Sequence, residues 1–362
     1  MALYPYVLYP LVLRVLPERP IQRKLGISED GSNFALLFCA YNEMRSIESK
    51  LENVRELLAE YPRLAVHVYD DMSSDGTAAI LAESQLPLNL VLSQSRSGKA
   101  HGMQLLAQEA DRDFLIFTDA NVLVQPGSLD TLSASYVDPL VGGVCGTLRY
   151  VAVSDSQSTS DATGAYWKLE ERVKTYESRS GNVLGADGSI FSIRSDLYPK
   201  FPDTVLDDLT VSMSAIFAGK RLIKDDGLVG TEEILGDQGK DLRRRIRISM
   251  RAFHTHLWLR PQLKNMTLGD RWRYWSHRYV RWFGGAALLI AFASAMTALF
   301  LTSPWLALGA ALAIAAAGLL TFRMDLGFPS SLTHIAVSML LTSYGVFKSI
   351  RGKTRATWEP PR

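Results

Sequence analysis

Three aspartates crowd the end of an apolar segment in the stretch VYDDMSSDGT, residues 68–77 of the 362-residue chain. Asp70 and Asp71 directly follow β-branched and aromatic residues, and Asp75 precedes a glycine. Carboxylates gathered where a strand ends need partners, and the candidates are a divalent metal ion, a nucleotide base or ribose, and backbone amides. Asp75 stands where a helix cap belongs, so capping is its simplest role. Asp71 is left available for a ligand.

A second polar cluster, TDAN at 118–121, follows the apolar run FLIF. Asp119 and Asn121 are two residues apart on an extended segment, which lets both side-chain oxygens address one hard cation that bridges a diphosphate. The same pattern also occurs in ordinary turns. Lys99 follows Gly98 in SRSGKAHG, where its ammonium group suits a phosphate or a base. A solvated surface lysine is the alternative for Lys99.

Another acidic pair, Asp207 and Asp208, opens a predicted helix whose VSMSAIF face is apolar. One of these carboxylates can cap the helix, and the other is spare. A spare carboxylate at a loop–helix junction that faces a sugar acceptor is well placed as a general base. The glycine-rich loop before the strand in VLGADGSIFSIR (183–194) allows the backbone to approach a ligand closely.

Strand and helix patterns alternate in the segments that must position these residues. The strand-like runs are FALLFCA, LAVHVYD, LNLVL and FLIF, and each is followed by a short polar loop. Strict alternation predicts an α/β fold with a mainly parallel sheet and helices on both faces. Ligands bind beyond the carboxyl ends of the strands in such sheets. We therefore expect YNE, DDMSSD, SRSGKAHG and TDAN to converge on one rim.

A run of 41 residues without a charge, 282–322, is interrupted only by a turn at 302–304. Each half has the length of about 20 residues that a helix needs to cross a bilayer, which predicts a transmembrane hairpin. A third uncharged stretch, 326–347, contains Gly, Pro, Ser, Thr and His334. Spanning and interfacial placements both remain open for it, with spanning slightly favoured. The N-terminal ALYPYVLYPLVL is short and lacks the basic start of a signal peptide, so it predicts an interfacial or truncated anchor.

Basic charge is concentrated just before this hairpin. Residues 240–281 contain 12 Lys and Arg against 2 Asp and Glu, whereas the whole chain carries a net charge of +2. A basic belt next to a transmembrane helix marks the cytoplasmic side, so we expect the sheet domain in the cytosol. With three spans the basic tail KSIRGKTR would lie outside, and two spans would remove that conflict. Cys39 and Cys145 lie in apolar strand-like runs, as packing residues in a reducing compartment do.

The run RWRYWSHRYVRWF predicts an amphipathic interfacial helix. It interleaves aromatic side chains with arginines, and the aromatic residues are Trp272, Trp275, Tyr279 and Trp282.

Read in order, CAYNE, VYDDMSSDGT, SGKAHG, TDAN, GADGSIFSIR, LDDL and RRRIR resemble the motif series of membrane-associated family 2 glycosyltransferases. That group contains the cellulose, hyaluronan and poly-N-acetylglucosamine synthases. The resemblance covers roughly residues 34–250, the basic belt and the hairpin. It implies a GT-A fold, a nucleotide-sugar donor with uridine favoured, a divalent metal (Mg²⁺ or Mn²⁺) and inversion at the anomeric carbon.

The resemblance also implies a role for each matching residue. On the nucleotide side, the residues that contact the nucleoside, the phosphates or the metal are Tyr41, Glu43, Asp71, Lys99, Asp119 and Asn121. On the sugar side, the pocket is formed by Gly185, Ala186, Asp187, Gly188 and Asp207, and the catalytic base is Asp208. Arg244 and Arg247 would contact the diphosphate, and the alternative is that they belong to the electrostatic belt at the lipid surface.

Two positions depart from the family pattern. Asn121 stands where the metal motif usually ends in aspartate, so the cation should bind more weakly there or rely on Asp119 alone. The processive synthases carry a Q-x-x-R-W motif, and the corresponding residues, Arg244 to Ile248, lack both the glutamine and the tryptophan. The sequence therefore does not predict processive synthesis of a long chain.

These observations predict five parts: an apolar or interfacial segment (1–27), a cytosolic GT-A domain (28–264), an interfacial helix (265–282), a transmembrane region of two or three helices (283–347) and a basic tail (348–362). The predicted reaction transfers a sugar to a hydroxyl of a lipid-linked saccharide or polysaccharide at the inner or plasma membrane, in cell-surface glycan synthesis. We expect no nucleic-acid partner, and subunits of an export or assembly complex are possible partners.

Two other functions use similar features. A nucleotidyltransferase that makes activated sugars would carry a glycine-rich basic loop after the first strand, where this chain has CAYNEMRS. An inactive membrane scaffold would not need Asp71, Asp119 and Asp208 together.

Overall fold

An eight-stranded sheet forms the centre of the molecule. The computed structural model describes residues 3–24, 30–152, 160–234, 238–324 and 326–352. The strands are β1 (Phe34–Ala40), β2 (Ala65–Asp70), β3 (Leu88–Leu92), β4 (Phe114–Asp119), β5 (Val122–Val124), β6 (Val141–Ala152), β7 (Ile190–Arg194) and β8 (Arg221–Ile234). Their order across the sheet is β3-β2-β1-β4-β7-β6-β8-β5.

Helices cover both faces of this sheet. They are α1 (Leu8–Val15), α2 (Ile47–Glu60), α3 (Thr77–Glu83), α4 (Lys99–Glu109), α5 (Ser128–Tyr136), α6 (Ser160–Ser180), α7 (Asp207–Phe217) and α8 (Gln238–Leu259). Alternate residues of β1 enter two separate cores: Leu36 and Phe38 belong to one, and Ala35 and Leu37 to the other. This two-residue period is what a strand buried on both faces requires.

Strands β3, β2, β1 and β4 are parallel, and β7 is inserted antiparallel between β4 and β6. The predicted α/β fold with a mainly parallel sheet and helices on both faces is confirmed. Four elements that follow β4 were not predicted: β5, α5, β8 and α8. Strand β8 contains Asp225, Asp226 and Gly227 at its middle, where its pairing with β6 shifts register, and these residues mask its strand pattern.

Helix α4 begins at Lys99 and lies directly on the sheet. A Cβ atom on its Gly102 would be 2.3 Å from the ring of Tyr69 and 2.8 Å from Cys39 Sγ. Only glycine permits this close approach, which fixes the start of the helix at the rim of the sheet. Cys39 and Cys145 are both free thiols, as the sequence predicted.

The C-terminal part is helical. After α8 come α9 (Leu268–Tyr274), a π-helical turn (Trp275–Tyr279), α10 (Val280–Trp282), α11 (Gly284–Thr302), α12 (Pro304–Arg323) and α13 (Phe328–Ile350). Within the described residues, α11 and α12 are the two helices long and apolar enough to cross a membrane. Both helices are largely exposed, so neither is packed as a core helix of the sheet domain.

Helix α13 follows a different path from the hairpin. Thr333 near its start hydrogen-bonds Thr321 near the end of α12, and the backbone of Met339 lies against Gly285 at the start of α11. Gly345 then lies against α8, since a Cβ atom there would be 2.7 Å from the carbonyl oxygen of Ile246. The helix therefore runs from the hairpin base back to the sheet domain.

The segment 268–282 is packed more deeply than an interfacial helix requires. Trp282 is only 5% exposed and packs on Phe253 and His256, and Trp272 packs on Tyr9 of α1. Of the predicted aromatic belt, Trp275 is the exposed member, at 50%. The expectation that all four aromatic residues face an interface is thus wrong for Trp282, because its ring fills the core beside α8.

Candidate active site

Loops from three parallel strands meet at the carboxyl rim of the sheet. The backbone amide of Asp71 donates to the carbonyl of Ala40 at 2.9 Å, and Ser93 donates to the carbonyl of Asp70 at 3.0 Å. Each strand end is thereby fastened to its neighbour. The convergence is the one expected for carboxyl ends of parallel strands.

The aspartates of VYDDMSSDGT bind mainly backbone amides and hydroxyls. Asp70 accepts hydrogen bonds from the amide and hydroxyl of Ser73, and Asp75 accepts from the amides of Thr77 and Met44. The N-cap position of α3 is Gly76, so Asp75 binds the first helical amide from one residue earlier and does not occupy the predicted cap position. Asp70 fixes the loop that follows β2.

Asp71 holds the third rim loop. Its buried carboxylate accepts from the amides of Ser97 and Gly98 at 2.8 and 3.0 Å and from Arg96 Nε at 3.0 Å. The Arg96 guanidinium lies over the Tyr41 ring, 3.3 Å from its centroid. Tyr41, Asp71 and Arg96 therefore form one contiguous surface at the edge of the rim.

Lys99 is the central cation of the site. Its Nζ donates to Asp119 Oδ1 at 2.6 Å and to the Gly188 carbonyl at 3.5 Å, and it lies 3.9 Å from Asp207 Oδ2. Burial by itself lowers the pKa of Lys99, but Asp119 and Asp207 outweigh burial and raise the pKa above its usual value. The lysine therefore stays protonated, and it joins residues that are far apart in the chain.

Asp208 lies beside this cation on the first turn of α7. A Cβ atom on Gly188 would be 2.9 Å from Asp208 Oδ2 and 3.4 Å from Lys99 Nζ, so loop, carboxylate and ammonium are in contact range. Burial raises the pKa of Asp208 to about 6, and the negative charge of Asp207 contributes to the rise. The positive charge of Lys99 opposes it. A carboxylate with such a pKa can accept a proton near neutral pH.

A second acidic group lies on the other side of Asp119. Asn121 Nδ2 donates to Glu232 Oε1 at 2.9 Å because β5 pairs with β8. Burial raises the pKa of Glu43 to about 7, with smaller contributions from Asp119 and Glu232. Burial and Asp119 likewise raise the pKa of Glu232. The mutual repulsion of these carboxylates would be relieved by a cation.

The donor set around Asp119 fits a hard divalent ion. Asp119 and the amide oxygen of Asn121 are oxygen ligands of the type that Mg²⁺ and Mn²⁺ prefer. In the part of the chain that the structure describes, no cluster of three or more His, Cys, Asp or Glu forms a complete metal site. Such ions are commonly held by one or two carboxylates together with substrate phosphates, and this set is compatible with that mode of binding.

The rim lies within a recognisable family domain. Residues 36–201 match the model of glycosyl transferase family 2. The chain contains a family 2 glycosyltransferase domain. A segment of 140 residues is 24% identical to poly-beta-1,6-N-acetyl-D-glucosamine synthase of Staphylococcus epidermidis, over 37% of this chain and 34% of that synthase. The match therefore spans about a third of the synthase.

The fold of the whole chain is similar to that of a solved glycosyltransferase. The mannosyltransferase PcManGT from Pyrobaculum calidifontis, described in complex with GDP-Man and Mn²⁺, superposes with a TM-score of 0.72. The alignment covers 97% of this chain and 96% of that protein at 22% sequence identity. The similarity in fold therefore extends over both the sheet domain and the C-terminal helices of this chain.

The loop Gly185–Gly188 of the glycosyltransferase domain is fastened from α6 and α7. Lys174 of α6 forms an ion pair with Asp187, and the amide of Ala186 donates to Ser212 Oγ at 2.9 Å. Lys174 also binds Glu171 at 3.0 Å. The loop is therefore held in a defined position beside Asp208.

Arg244 and Arg247 lie on α8, which carries the basic cluster. Burial, together with Arg251 and Arg244, lowers the pKa of Arg247 to about 10. Arg244 is exposed, and its charge partly offsets the rise that burial causes in the pKa of Glu232. Like charges that crowd together favour an anion among them, which is compatible with the predicted diphosphate contact.

Sequence reasoning missed Lys50, Arg96 and Glu232. Glu232 lies in the unpredicted strand β8, and Arg96 gave no signal beyond its neighbour Lys99. Lys50 could have been noticed, because it falls on the apolar stripe of α2 beside Ile47 and Val54. It is fully buried beneath the TDAN motif (118–121), and its Nζ donates to the Val122 carbonyl at 2.5 Å.

The substitution Lys50→Met should change how stability depends on pH. Burial lowers the folded-state pKa of Lys50 to about 7, although Asp119 opposes this, whereas an unfolded lysine has a pKa of about 10.4. Between these values the unfolded chain binds one more proton, so the stability of the wild type rises with pH by up to about 1.4 kcal/mol per unit. The Lys50→Met variant should lack this rise in the free energy of unfolding with pH.

The measurement is the difference in thermal stability between the wild type and Lys50→Met from pH 7 to about 9.5. Exposed Lys200, changed to Met, is the matched control and should leave the pH dependence unaltered. Identical pH dependence in the wild type and Lys50→Met would contradict the burial of a titrating lysine beneath the motif.

Proposed function

We propose that this chain is an inverting glycosyltransferase that moves a sugar from a nucleotide-sugar donor to a hydroxyl group of an acceptor at the membrane. The supporting observation is that Lys99 contacts Asp119 on the nucleotide side and Gly188 on the sugar side, 3.9 Å from Asp207. UDP-sugars are the first candidates. GDP-sugars are the second, because the similar mannosyltransferase is described with GDP-Man.

The nucleoside binds at the surface formed by Tyr41, Glu43 and Asp71. Arg96 now lies on the face of Tyr41 where a base would stack, and it pairs with Asp71. A bound base takes the place of the guanidinium, and the freed Asp71 carboxylate can accept a hydrogen bond from it. Arg96 itself remains nearby to meet the phosphates.

Positive groups surround the diphosphate. Lys99, Arg244 and Arg247 offset the charge that develops on the leaving group. Asp119 with Asn121 would hold Mg²⁺ or Mn²⁺, which supplies further positive charge at the same place. Because the arginines are held on a helix and Lys99 on the sheet rim, little reorganisation is needed when charge develops.

Asp208 acts as the general base. It takes the proton of the acceptor hydroxyl while the oxygen attacks the anomeric carbon opposite the departing diphosphate, which inverts that centre. Gly185, Ala186, Asp187, Gly188 and Asp207 form the pocket around the sugar and the acceptor. The acceptor is a lipid-linked saccharide or a polysaccharide in cell-surface glycan synthesis, and subunits of an export or assembly complex are candidate partners.

Membrane attachment places the site beside its acceptor. Helices α11 and α12 span the bilayer, and α13 stays on the cytosolic side because it returns from the hairpin base to α8. Helix α1 rests on the same surface: one face packs Tyr9 and Leu13 inward, and the opposite face exposes Leu8, Leu11 and Val15. The basic belt keeps the glycosyltransferase domain in the cytosol.

The test of function is sugar transfer by membranes that contain the protein. We expect radiolabel from one member of a panel of UDP- and GDP-sugars to enter a lipid or polysaccharide product when Mn²⁺ or Mg²⁺ is present. Membranes with Asp119→Ala are the control. Consumption of a sugar phosphate with a nucleoside triphosphate, without any transfer, would instead support a nucleotidyltransferase.

The substitution Asp208→Asn should lower kcat on the order of a hundred- to ten-thousand-fold, because no group is left to accept the acceptor proton. Affinity for UDP should remain within about twofold, since the amide keeps the shape of the side chain. Steady-state kinetics and UDP titration measure the two quantities.

The wild-type rate should also fall below a pH of about 6, where Asp208 becomes protonated. Full turnover by Asp208→Asn would remove the base assignment.

A fluorescent protein fused after residue 362 should fluoresce, because two spans leave the C-terminus in the cytosol, where such reporters fold. Alkaline phosphatase fused at the same place should be inactive. A third span would give the opposite pair of results.

A further inference from the structure

The segment 268–282 reaches the loop at residues 184–185 through the side chain of Arg278. Arg278 Nε donates to the Leu184 carbonyl at 2.7 Å, and its Nη2 donates to the Gly185 carbonyl at 3.1 Å. Gly185 has φ +99°, and a Cβ atom there would be 2.6 Å from Arg278 Nη2. The guanidinium is therefore packed directly against the backbone of the loop that borders Asp208.

Both backbone polar groups of Leu184, the amide and the carbonyl, form hydrogen bonds to side chains. Its amide donates to Glu177 Oε2 at 3.3 Å, while its carbonyl accepts from Arg278. Glu177 also binds His277 Nδ1 at 2.7 Å and the Tyr9 hydroxyl at 2.5 Å. The same short segment thus fixes Leu184 directly through Arg278 and indirectly through His277.

The backbone of this segment is adapted to the task. Residues 275–279 form a π-helical turn, a rare feature that is frequent at functional sites. His277 is buried and Arg278 reaches the loop, while Trp275 stays half exposed on the outer side. A regular α-helix would rotate these neighbours to different directions.

We propose that Arg278 is a positioning residue that sets the loop 184–188 against Asp208, so that donor sugar and acceptor are aligned for transfer. This inference rests on the proposed function. Other contacts hold the two ends of this loop: the amide of Val183 donates to the Leu222 carbonyl at 2.9 Å before it, and Lys174 binds Asp187 and Ser212 binds Ala186 beyond the glycine with positive φ. Arg278 supplies the hydrogen bonds to the carbonyls between them. Misplacement of reacting groups by about 1 Å can cost about a hundredfold in rate, so loss of this contact should appear in kcat.

Arg271 offers a matched control. It lies on the same segment and also donates to two backbone carbonyls, those of Met266 at 3.1 Å and Lys264 at 2.9 Å. Both are remote in sequence from the loop 184–188. Comparison of Arg278→Met with Arg271→Met therefore separates positioning of the loop from general support of the helix.

We expect Arg278→Met to lower kcat about 10- to 100-fold while the Kd for UDP with Mn²⁺ stays within about twofold. Arg278→Lys, which keeps the charge and one donor, should recover part of the loss. Arg271→Met should keep kcat within about twofold of the wild type. Unchanged kcat in Arg278→Met, or equal losses in Arg278→Met and Arg271→Met, would overturn the proposal.

Hydrogen exchange supplies a readout that needs no turnover. Amides of residues 184–188 should exchange at least about tenfold faster in Arg278→Met than in the wild type or Arg271→Met. If wild-type protein transfers no sugar but this difference is seen, the proposed function fails and the positioning contact stands. If transfer is normal and exchange does not differ, only the positioning role fails. Should Arg278→Met not fold, Arg278→Lys carries both measurements.

Discussion

The site depends on the ion pairs of the partly buried Lys99 ammonium. Asp119 comes from the end of β4, and Asp207 and Asp208 come from the start of α7, so two distant parts of the chain bring carboxylates to the same place. Carboxylates at such short range repel each other and lose solvation, and only a cation between them makes the arrangement stable. Gly98 and Gly102 allow α4 to begin at the point where Lys99 provides that cation.

The same requirement explains how the segment 268–282 is joined to the glycosyltransferase domain. Arg281 is bound by Glu170 at 2.6 Å, His277 by Glu177 at 2.7 Å, and all four side chains are largely buried. Separating a buried ion pair leaves an uncompensated buried charge, which is strongly unfavourable. The orientation of the segment relative to the sheet is therefore specified, which gives Arg278 a fixed direction toward the loop 184–188.

Local patterns predicted the first half of the fold well because each strand there is a short apolar run followed by a polar loop. They failed for β8, where charged residues at a register shift interrupt the strand, and for β5, which is only three residues long. The same failure hid Glu232, since its position beside Asn121 depends on the pairing of β5 with β8.

The rim residues Asp71, Lys99 and Asp119 could be predicted because parallel strands bring their carboxyl ends together. Arg278 and Lys50 could not be assigned, since their partners are backbone carbonyls more than 70 residues away in sequence. Trp282 was misplaced because composition predicts an interfacial aromatic residue, whereas packing against Phe253 decides its burial. Sequence motifs thus identify the residues that contact a ligand. The residues that position these ligand contacts are identified only by long-range packing in the structure.

The most direct measurement is a structure of the protein with UDP and Mn²⁺, in which anomalous scattering locates the metal. We expect the diphosphate beside Lys99 and Arg247, Arg96 displaced from Tyr41, and the metal at about 2 Å from an Asp119 oxygen. UDP bound away from the rim, with Lys99 still paired to Asp119 and no metal near it, would contradict the central claim that these carboxylates and this lysine form a donor site.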